Sequence, residues 1–333
     1  MSGFLGSGKT TLLNRLLRRP EFAATAVIVN EFGEIGLDHF LIEQATDNVV
    51  LLESGCLCCT IVDSLHETLA QLHYRRMRAE IPSFQRVVVE TTGLAEPGPI
   101  LNVILGHPLV RDHFRLGRLV VTVDALHAPQ AVHRHPEVAR QIALADVLIV
   151  TKLDLVEDAA AVAALLDSLN PAAIRYDARD ADALVRALEG ERDEGLSEVR
   201  TASVRTYAHH HPAHAMGVSS HAFVLDQPPT WAGVAAWWRL VRDHFGDRLL
   251  RCKGLLEIAD TGEIVFIQAV QRVFHTPERL PGWPGDDHRS RLVCITAGVD
   301  EGELRASLKA LSLEAGANPS LRMQDLTTPG RLG

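Results

Sequence analysis

The sequence predicts an α/β fold with a mostly parallel sheet, followed by a smaller α+β domain. In residues 1–190, short runs rich in Val, Ile and Leu alternate with helical patterns. These runs show little polar alternation, which is typical of strands buried on both faces of a parallel sheet. After residue 218, a strand and a helix are followed by several strands in succession, which indicates an antiparallel sheet.

Each predicted element rests on a short pattern. The strands of the first part are Ala26–Val29, Val49–Leu52, Arg86–Glu90, Leu119–Val123 and Val147–Val150. The clearest helical patterns there are Thr10–Arg19 and Ala159–Leu169. The strands of the second part are His221–Leu225, Leu249–Ile258, Ile264–Val270 and Arg291–Thr296, and its helices are Thr230–Phe245 and Glu301–Leu311.

These patterns divide the chain into four parts. We expect an α/β domain over residues 1–190, a linker with a short His-rich stretch over 191–218, an α+β domain over 219–313 and a tail over 314–333. The linker is marked by a charged stretch, GERDEG, and by the stretch AHHHPAHAMG. The tail has no periodic pattern, and we expect it to be disordered.

Composition argues against several classes of protein. The formal net charge of the 333 residues is −9, whereas a nucleic-acid-binding protein needs a basic face. No apolar run approaches the roughly 18 residues of a membrane-spanning helix, and no secretory signal is visible. Three of the five cysteines are clustered, which favours a metal or redox site over a disulfide framework. We therefore expect a cytoplasmic protein that binds neither nucleic acid nor membrane.

A phosphate-binding loop stands at the start of the chain. The segment GFLGSGKT, residues 3–10, fits the pattern G-x-x-x-x-G-K-[ST]. In such a loop backbone N–H groups surround the phosphates, Lys9 reaches the β- and γ-phosphates, and Thr10 offers a hydroxyl to Mg²⁺. The helix that follows directs its positive end at the anion. The predicted nucleotide-binding residues of this segment are Gly3, Gly6, Ser7, Gly8, Lys9, Thr10 and Thr11.

The strand that should precede this loop is nearly missing. Only Met1 and Ser2 come before Gly3. We expect either that the natural start lies upstream or that the sheet lacks its central strand. Because a central strand buries much apolar area, we also expect weakened stability or nucleotide binding.

An acidic residue at a strand end is the candidate for holding Mg²⁺. The segment VVVETTG, residues 87–93, is an apolar strand followed by Glu90, a position where such folds place a carboxylate on the metal. Gly93 can present its N–H group to the γ-phosphate. The candidate catalytic residues are therefore Lys9, Glu90 and Gly93. The acidic segment NEFGE, residues 30–34, also follows a strand and is a candidate switch.

The segment TKLD, residues 151–154, predicts the choice of base. It follows the apolar strand Val147–Val150. The carboxylate of Asp154 can accept the ring N–H and the exocyclic amine of guanine, a donor pair that adenine lacks, and the Lys152 stem can cover the base. Thr151 replaces the more usual Asn. The order of the motifs favours GTP over ATP.

Three cysteines predict a metal site. The segment GCLCC, residues 55–59, follows the strand Val49–Leu52. The thiolates of Cys56, Cys58 and Cys59 suit a soft or borderline ion such as Zn²⁺. A fourth ligand must come from Glu31, Glu34, a histidine, water or another protein, and an incomplete set favours transient binding.

Histidines offer weaker metal candidates. His66 and His73 are seven residues apart on a predicted helix and can share a face. The other group consists of His209, His210, His211, His214 and His221. Its imidazoles suit zinc, nickel or cobalt, but a solvated linker is the favoured interpretation. Cys252 and Cys294 lie in predicted strands, where we expect core residues.

Taken together, the motifs GFLGSGKTTLLNRLL, NEFGEIGLD, ESGCLCC, ETTGLAEP and TKLD resemble those of the CobW family of GTPases. The segments RCKGLLEIAD and IVFIQAVQRVFH are similar to its C-terminal domain. The resemblance implies GTP binding, slow hydrolysis and delivery of a metal to a client metalloprotein. Residue by residue it implies phosphate and Mg²⁺ contacts for Lys9, Thr10 and Glu90, and base contacts for Thr151, Lys152 and Asp154. It implies metal binding by Cys56, Cys58 and Cys59.

The expected function is that of a GTP-dependent metal chaperone, which uses GTP and Mg²⁺ and carries Zn²⁺ or Co²⁺. Cobalt delivery for cobalamin synthesis is an alternative within the family, since thiolates accept both ions. A non-catalytic zinc buffer or sensor and an ATP-using kinase are alternatives of other classes. The sequence leaves the client and the oligomeric state open.

Overall fold

The computed structural model describes residues 1–29, 50–53, 61–189 and 217–312. The chain forms two compact units. The first consists of Met1–Ala163 and Ile174–Gly190, and the described part of the second consists of Ala164–Ala173 with residues 217–312. No helix within the described ranges is long and apolar enough to cross a membrane.

The strands described in the first unit pair in parallel. They are β1 (Ser2–Gly3), β2 (Thr25–Val29), β3 (Val50–Glu53), β4 (Arg86–Glu90), β5 (Val120–Asp124), β6 (Val147–Thr151) and β7 (Ile174–Asp177). Two ladders form, in the orders β3-β2-β4 and β1-β5-β6-β7. The predicted parallel sheet is confirmed, and the predicted strands agree with the observed ones to within a residue or two at their ends.

The short first strand joins the two ladders. Strand β1 has two residues and pairs with Val121 and Thr122 of β5. On its other side, the Met1 nitrogen donates to Val89 O at 2.6 Å, and Thr91 N donates to Met1 O at 3.0 Å. The expected shortening of the strand is therefore observed, but the central position between β4 and β5 is filled.

The helices described between residues 1 and 190 are α1 (Lys9–Leu17), α2 (Ile61–Met77), α3 (Pro97–Gly106), α4 (Pro108–His113), α5 (Ala128–Arg134), α6 (Pro136–Leu144), α7 (Ala159–Leu169) and α8 (Ala181–Glu189). Helix α1 buries Leu12, Leu13, Leu16 and Leu17, which lie on the face expected from their spacing. They pack in one core with Val120 of β5. Burying a leucine contributes about 1.5–3 kcal/mol, so this helix holds the phosphate loop firmly against the sheet.

The second unit is an antiparallel sheet with helices, as predicted. Its elements are β8 (Val218–Val224), α9 (Trp231–His244), β9 (Leu249–Glu257), β10 (Ile264–Val270), β11 (Val273–Phe274), β12 (Glu278–Leu280), β13 (Arg291–Ala297) and α10 (Glu301–Ser307). The strand order is β11-β10-β9-β13-β8, and β12 pairs with β10. Helix α9 packs Trp237 into the main core. Cys252 and Cys294 are opposite each other on β9 and β13 and buried, as expected of core residues.

Candidate functional site

The loop between β1 and α1 is shaped for an anion. Gly6 and Gly8 adopt φ angles of +72° and +90°, a left-handed conformation that favours glycine. Ser7 N donates to Phe4 O at 3.2 Å, which closes the turn. A Cβ atom on Gly3 would lie 2.5 Å from the Thr122 carbonyl oxygen, so only glycine fits there. The start of α1 directs its N–H groups and the positive end of the helix dipole towards this loop, which favours an anion there.

Lys9 and Thr10 place two complementary groups at this loop. The Lys9 ammonium donates to Gly3 O at 3.0 Å and to Phe4 O at 3.2 Å, so it lies along the loop. The Thr10 hydroxyl donates to Glu90 Oε1 at 2.8 Å, although the two residues are 80 positions apart. Glu90 ends β4 and is buried. A hydroxyl beside a carboxylate is an oxygen-only donor set, and this chemistry fits Mg²⁺.

The loop after β4 packs directly on the phosphate loop. Gly93 is buried, and a Cβ atom there would lie 2.7 Å from Leu5 N. The buried amide of Gln141 on α6 donates to Gly93 O and to Ala95 O, each at 3.0 Å. Gln141 is a site residue that the sequence patterns do not reveal, because one polar residue in an amphipathic helix normally faces solvent.

The contacts of the Thr151 side chain account for a threonine where Asn is more usual. Its hydroxyl lies 3.0 Å from Ser7 O and 3.2 Å from Val123 O, and the residue is buried. The side chain therefore links β6 to the phosphate loop. Asp154 lies in a short 3-10 helix, Leu153–Leu155, and is exposed at the same end of the sheet.

Asp124 is a second site residue that the sequence motifs do not reveal. It ends β5, and its carboxylate contacts the Lys152 ammonium at 2.6 Å. Lys152 Nζ also donates to Gly6 O at 3.1 Å. Burial alone would raise the pKa of Asp124, but hydrogen bonds from Lys152 and His127 outweigh it and hold this pKa below its ordinary value. An acid at the end of an apolar strand, as at Glu90, is the signal that could have identified it.

The predicted thiolate site falls outside the described residues. This is true of Cys56, Cys58 and Cys59 and of Glu31 and Glu34. Among the residues that the structure does describe, no group of three or more His, Cys, Asp or Glu side chains is arranged to hold a metal ion.

The structure does describe the ends of the strands that precede those segments. Val29, the last residue of β2, is in register with Glu53 at the end of β3 on one side and with Glu90 of β4 on the other. Neighbouring strands are roughly 4.8 Å apart, so Glu53 and Glu90 are separated by roughly 10 Å. Cys56 follows Glu53 by three positions. Strand β3, which precedes the cysteine segment in the chain, thus ends at the same edge of the sheet as Glu90.

The histidines of α2 form two stacked pairs. His66 stacks on His107 with ring centroids 4.2 Å apart, and His73 stacks on His113 at 3.9 Å. Burial, followed by the charges of His113 and Arg76, lowers the pKa of His73. The two rings of each pair are nearly parallel, so their nitrogen lone pairs do not converge on one point. Of the group His209, His210, His211, His214 and His221, only His221 lies within the described residues, on β8.

Comparison with known proteins agrees with this architecture. The family described as "CobW/HypB/UreG, nucleotide-binding domain" matches residues 1–176, and "Cobalamin synthesis protein cobW C-terminal domain" matches residues 218–312. The zinc chaperone YjiA of Escherichia coli (strain K12) is 30% identical over 311 residues, which cover 93% of this chain and 97% of the relative. The zinc chaperone CobW of Sinorhizobium sp is 26% identical over 351 residues, with coverage of 93% and 96%.

A solved structure extends the likeness to three dimensions. The crystal structure of Zn(II)-bound YjiA GTPase from E. coli superposes with a TM-score of 0.72 at 26% identity, and it covers 94% of this chain and 97% of that chain. Sequence and fold agree over both units, and the chain belongs to the CobW/HypB/UreG family.

Proposed function

We propose that this protein is a GTP-hydrolysing zinc chaperone, in which the nucleotide state of the first unit controls a thiolate site beside it. One observation carries the proposal. The strand end that leads to Cys56 is roughly 10 Å from Glu90, because Glu53 and Glu90 both flank Val29. Glu90 in turn contacts Thr10 of the phosphate loop. The names of the relatives, zinc chaperones and a GTPase, support the same function.

The proposed roles follow the chemistry of each side chain. Lys9 and the loop from Gly3 to Thr11, including Gly6, Ser7 and Gly8, bind the phosphates. Thr10 and Glu90 would hold Mg²⁺, which would supply charge neutralisation at the phosphoryl group. Water attacks the γ-phosphorus, and its proton is released to solvent. The bond to the leaving GDP oxygen breaks, and GDP and phosphate result. Thr151, Lys152 and Asp154 surround guanine.

The cargo step is a switch. The loop that carries Gly93 packs on Leu5 of the phosphate loop. The Gly93 N–H group is the proposed contact to the γ-phosphate, and loss of that contact would release this loop. Cys56, Cys58 and Cys59 bind the zinc ion as cargo, with Glu31 as the candidate fourth ligand. Release then passes the ion to a client metalloprotein. Co²⁺ is a second possible cargo, and a cytoplasmic location fits three reduced cysteines.

A metal titration tests the proposal. Zn²⁺ and then Co²⁺ are titrated against a chromophoric chelator in the presence of Mg²⁺–GTP or Mg²⁺–GDP. We expect tighter metal binding with GTP by about 1–3 kcal/mol, and by linkage an equal gain in GTP affinity with metal. The gain should be absent in Cys56→Ala and Cys58→Ala.

The matched control is Cys252→Ala, which removes a buried thiol of the second unit. It should leave the titration unchanged once its folding has been checked by circular dichroism. Equal metal affinity with both nucleotides would contradict the chaperone and indicate a zinc buffer or sensor. Preference for ATP together with transfer to a small acceptor would indicate a kinase.

A further inference from the structure

The Asp124 carboxylate is surrounded by donors. Its side chain is only 10% exposed. Oδ1 accepts from Leu126 N at 3.0 Å and His127 N at 3.2 Å, while Oδ2 lies 2.8 Å from His127 Nδ1 and 2.6 Å from Lys152 Nζ. The two oxygens therefore have different roles. Oδ1 closes the turn after β5, and Oδ2 holds the side chains of His127 and Lys152.

Lys152 needs support from outside its own segment. Its φ of 59° lies in the left-handed region, which is uncommon for a residue with a Cβ atom. Its ammonium bridges Asp124 Oδ2 and Gly6 O, and so joins β5 and the phosphate loop to β6. The preceding residue, Thr151, makes a parallel link from its hydroxyl to Ser7 O. Consecutive residues of the base segment are thus tied to consecutive carbonyls of the phosphate loop.

This arrangement restricts the base segment relative to the phosphate loop. Asp154, which would meet guanine, is two positions beyond Lys152. If Lys152 loses its anchor, the left-handed turn at this residue loses its main side-chain restraint, and Asp154 is no longer aimed at a fixed point. Selection for guanine therefore depends on the Asp124 carboxylate, although Asp124 belongs to β5 and not to the base segment.

We propose that Asp124 is a positioning residue for guanine-nucleotide recognition, acting through Lys152 to fix the base segment against the phosphate loop. The inference rests on the proposed GTP site. On this account, Asp124 makes the site selective for guanine over adenine.

The substitution Asp124→Asn separates the two tasks of the carboxylate. An asparagine side chain keeps the oxygen that accepts from Leu126 N and His127 N, and it has nearly the same volume. It lacks the negative charge that holds Lys152. Asp158→Asn is a matched control, since Asp158 caps α7 through Ala161 N at 3.0 Å and asparagine caps equally well.

The test measures the affinities of the full chain for GTP, GDP and ATP by competition against a fluorescent GDP analogue. We expect Asp124→Asn to weaken GTP and GDP binding about tenfold, as for loss of a charged hydrogen bond, and to change the weak ATP affinity less. The GTP-to-ATP ratio therefore falls. In the double variant with Lys152→Met, the Asp124 substitution should add nothing, because the side chains act as one unit.

Unchanged nucleotide affinities in Asp124→Asn would overturn the inference, and so would an equal loss for all three nucleotides. If Asp124→Asn does not fold, Asp124→Glu keeps the carboxylate but displaces it by one methylene group from its place beside Lys152, and it must also lower the GTP-to-ATP ratio. Failure of the wild-type chain to bind GTP is a different result, because it would refute the proposed function itself.

Discussion

At the scale of single residues, close packing at the nucleotide site depends on the lack of a Cβ atom at Gly93. Gly93 allows the loop after β4 to lie on the backbone of Leu5. An added methyl group would be 2.7 Å from Leu5 N and 2.6 Å from Leu5 Cδ2, and both distances are shorter than real Cβ contacts. The leucine side chain can move, but the backbone nitrogen belongs to the phosphate loop and cannot.

We therefore expect Gly93→Ala to push the two loops apart. Overpacking of this kind costs about 1–3 kcal/mol, so GTP affinity should fall at least roughly tenfold, as measured by isothermal titration calorimetry. Gly106→Ala is the control, because a Cβ atom on Gly106 meets nothing within 4 Å. Equal GTP affinity in both variants would show that the loops do not need this contact.

At the scale of elements, helix α9 depends on a similar close approach in the second unit. Gly233 is in its first turn, and a Cβ atom there would be 2.0 Å from Leu311 O. The Thr230 hydroxyl caps the helix by accepting from Gly233 N at 2.9 Å. Trp237 Nε1 donates to Ser307 Oγ at 3.1 Å, which satisfies a polar group in the core. The helix and the segment 308–312 are thus joined by backbone contact.

The substitution Gly233→Ala should destabilise this unit by about 3 kcal/mol through overpacking. Urea unfolding followed by tryptophan fluorescence measures it directly, since all four tryptophans of the chain lie between residues 231 and 283. Gly282→Ala, where a Cβ atom meets nothing within 4 Å, should change the free energy of unfolding little. A midpoint for Gly233→Ala equal to that of the control would contradict this account.

Asp287, before β13, makes the same unit sensitive to acid. Hydrogen bonds from the Arg289 side chain outweigh the cost of burial and, with the charge of Arg291, lower the pKa of Asp287 from 3.8 to about 2. A carboxyl group with a depressed pKa stabilises the folded state above its unfolded pKa. This contribution is lost as the pH falls from about 4 towards 2.

Replacing Asp287 by Asn should therefore lower the free energy of unfolding at pH 7, by about 1 kcal/mol once solvent screening is allowed for. The difference from wild type should shrink as the pH approaches the lowered pKa. Urea titrations at pH 7, 5 and 3, read by tryptophan fluorescence, check both points. A constant difference at every pH would mean that the carboxylate charge is not the cause.

At the scale of the whole molecule, the phosphate loop is tied into the sheet from several strands. Thr10 contacts Glu90 of β4, Ser7 Oγ lies 2.6 Å from Thr122 Oγ1 of β5, and Thr151 of β6 contacts Ser7 O. A ligand bound at this loop should therefore stabilise the strands of the first unit together, since it binds only the folded arrangement.

Hydrogen exchange with mass spectrometry tests this expectation. Mg²⁺–GTP at about 100 times its Kd should stabilise the first unit by about 2.7 kcal/mol and slow exchange in peptides from β2, β5 and β6. In Lys9→Ala, which removes the ammonium at the phosphates, the same GTP concentration should slow exchange far less. Equal protection in both proteins would contradict the role of Lys9, and strands of the second unit give an internal reference in the same spectra.

The segments of the candidate nucleotide site could be recognised in the chain because each is short and contiguous, and the roles of their residues stay a prediction. Residues 3–10, 87–93 and 151–154 each combine a strand end with the groups that act there, and hydrophobic patterning places all of them at the carboxyl edge of a parallel sheet. The parallel fold and the antiparallel second sheet follow from the same patterning.

The links between these segments could not be predicted, because they depend on which strands become neighbours. Asp124 meets Lys152 only because β5 pairs with β6, and Gln141 reaches Gly93 only because α6 packs beside the loop after β4. The central position between β4 and β5 is likewise filled only because Ser2 and Gly3 pair with β5 while Met1 bonds to Val89 of β4. Motif chemistry is local and is written along the chain, whereas long-range pairing is decided by the packing of the folded molecule.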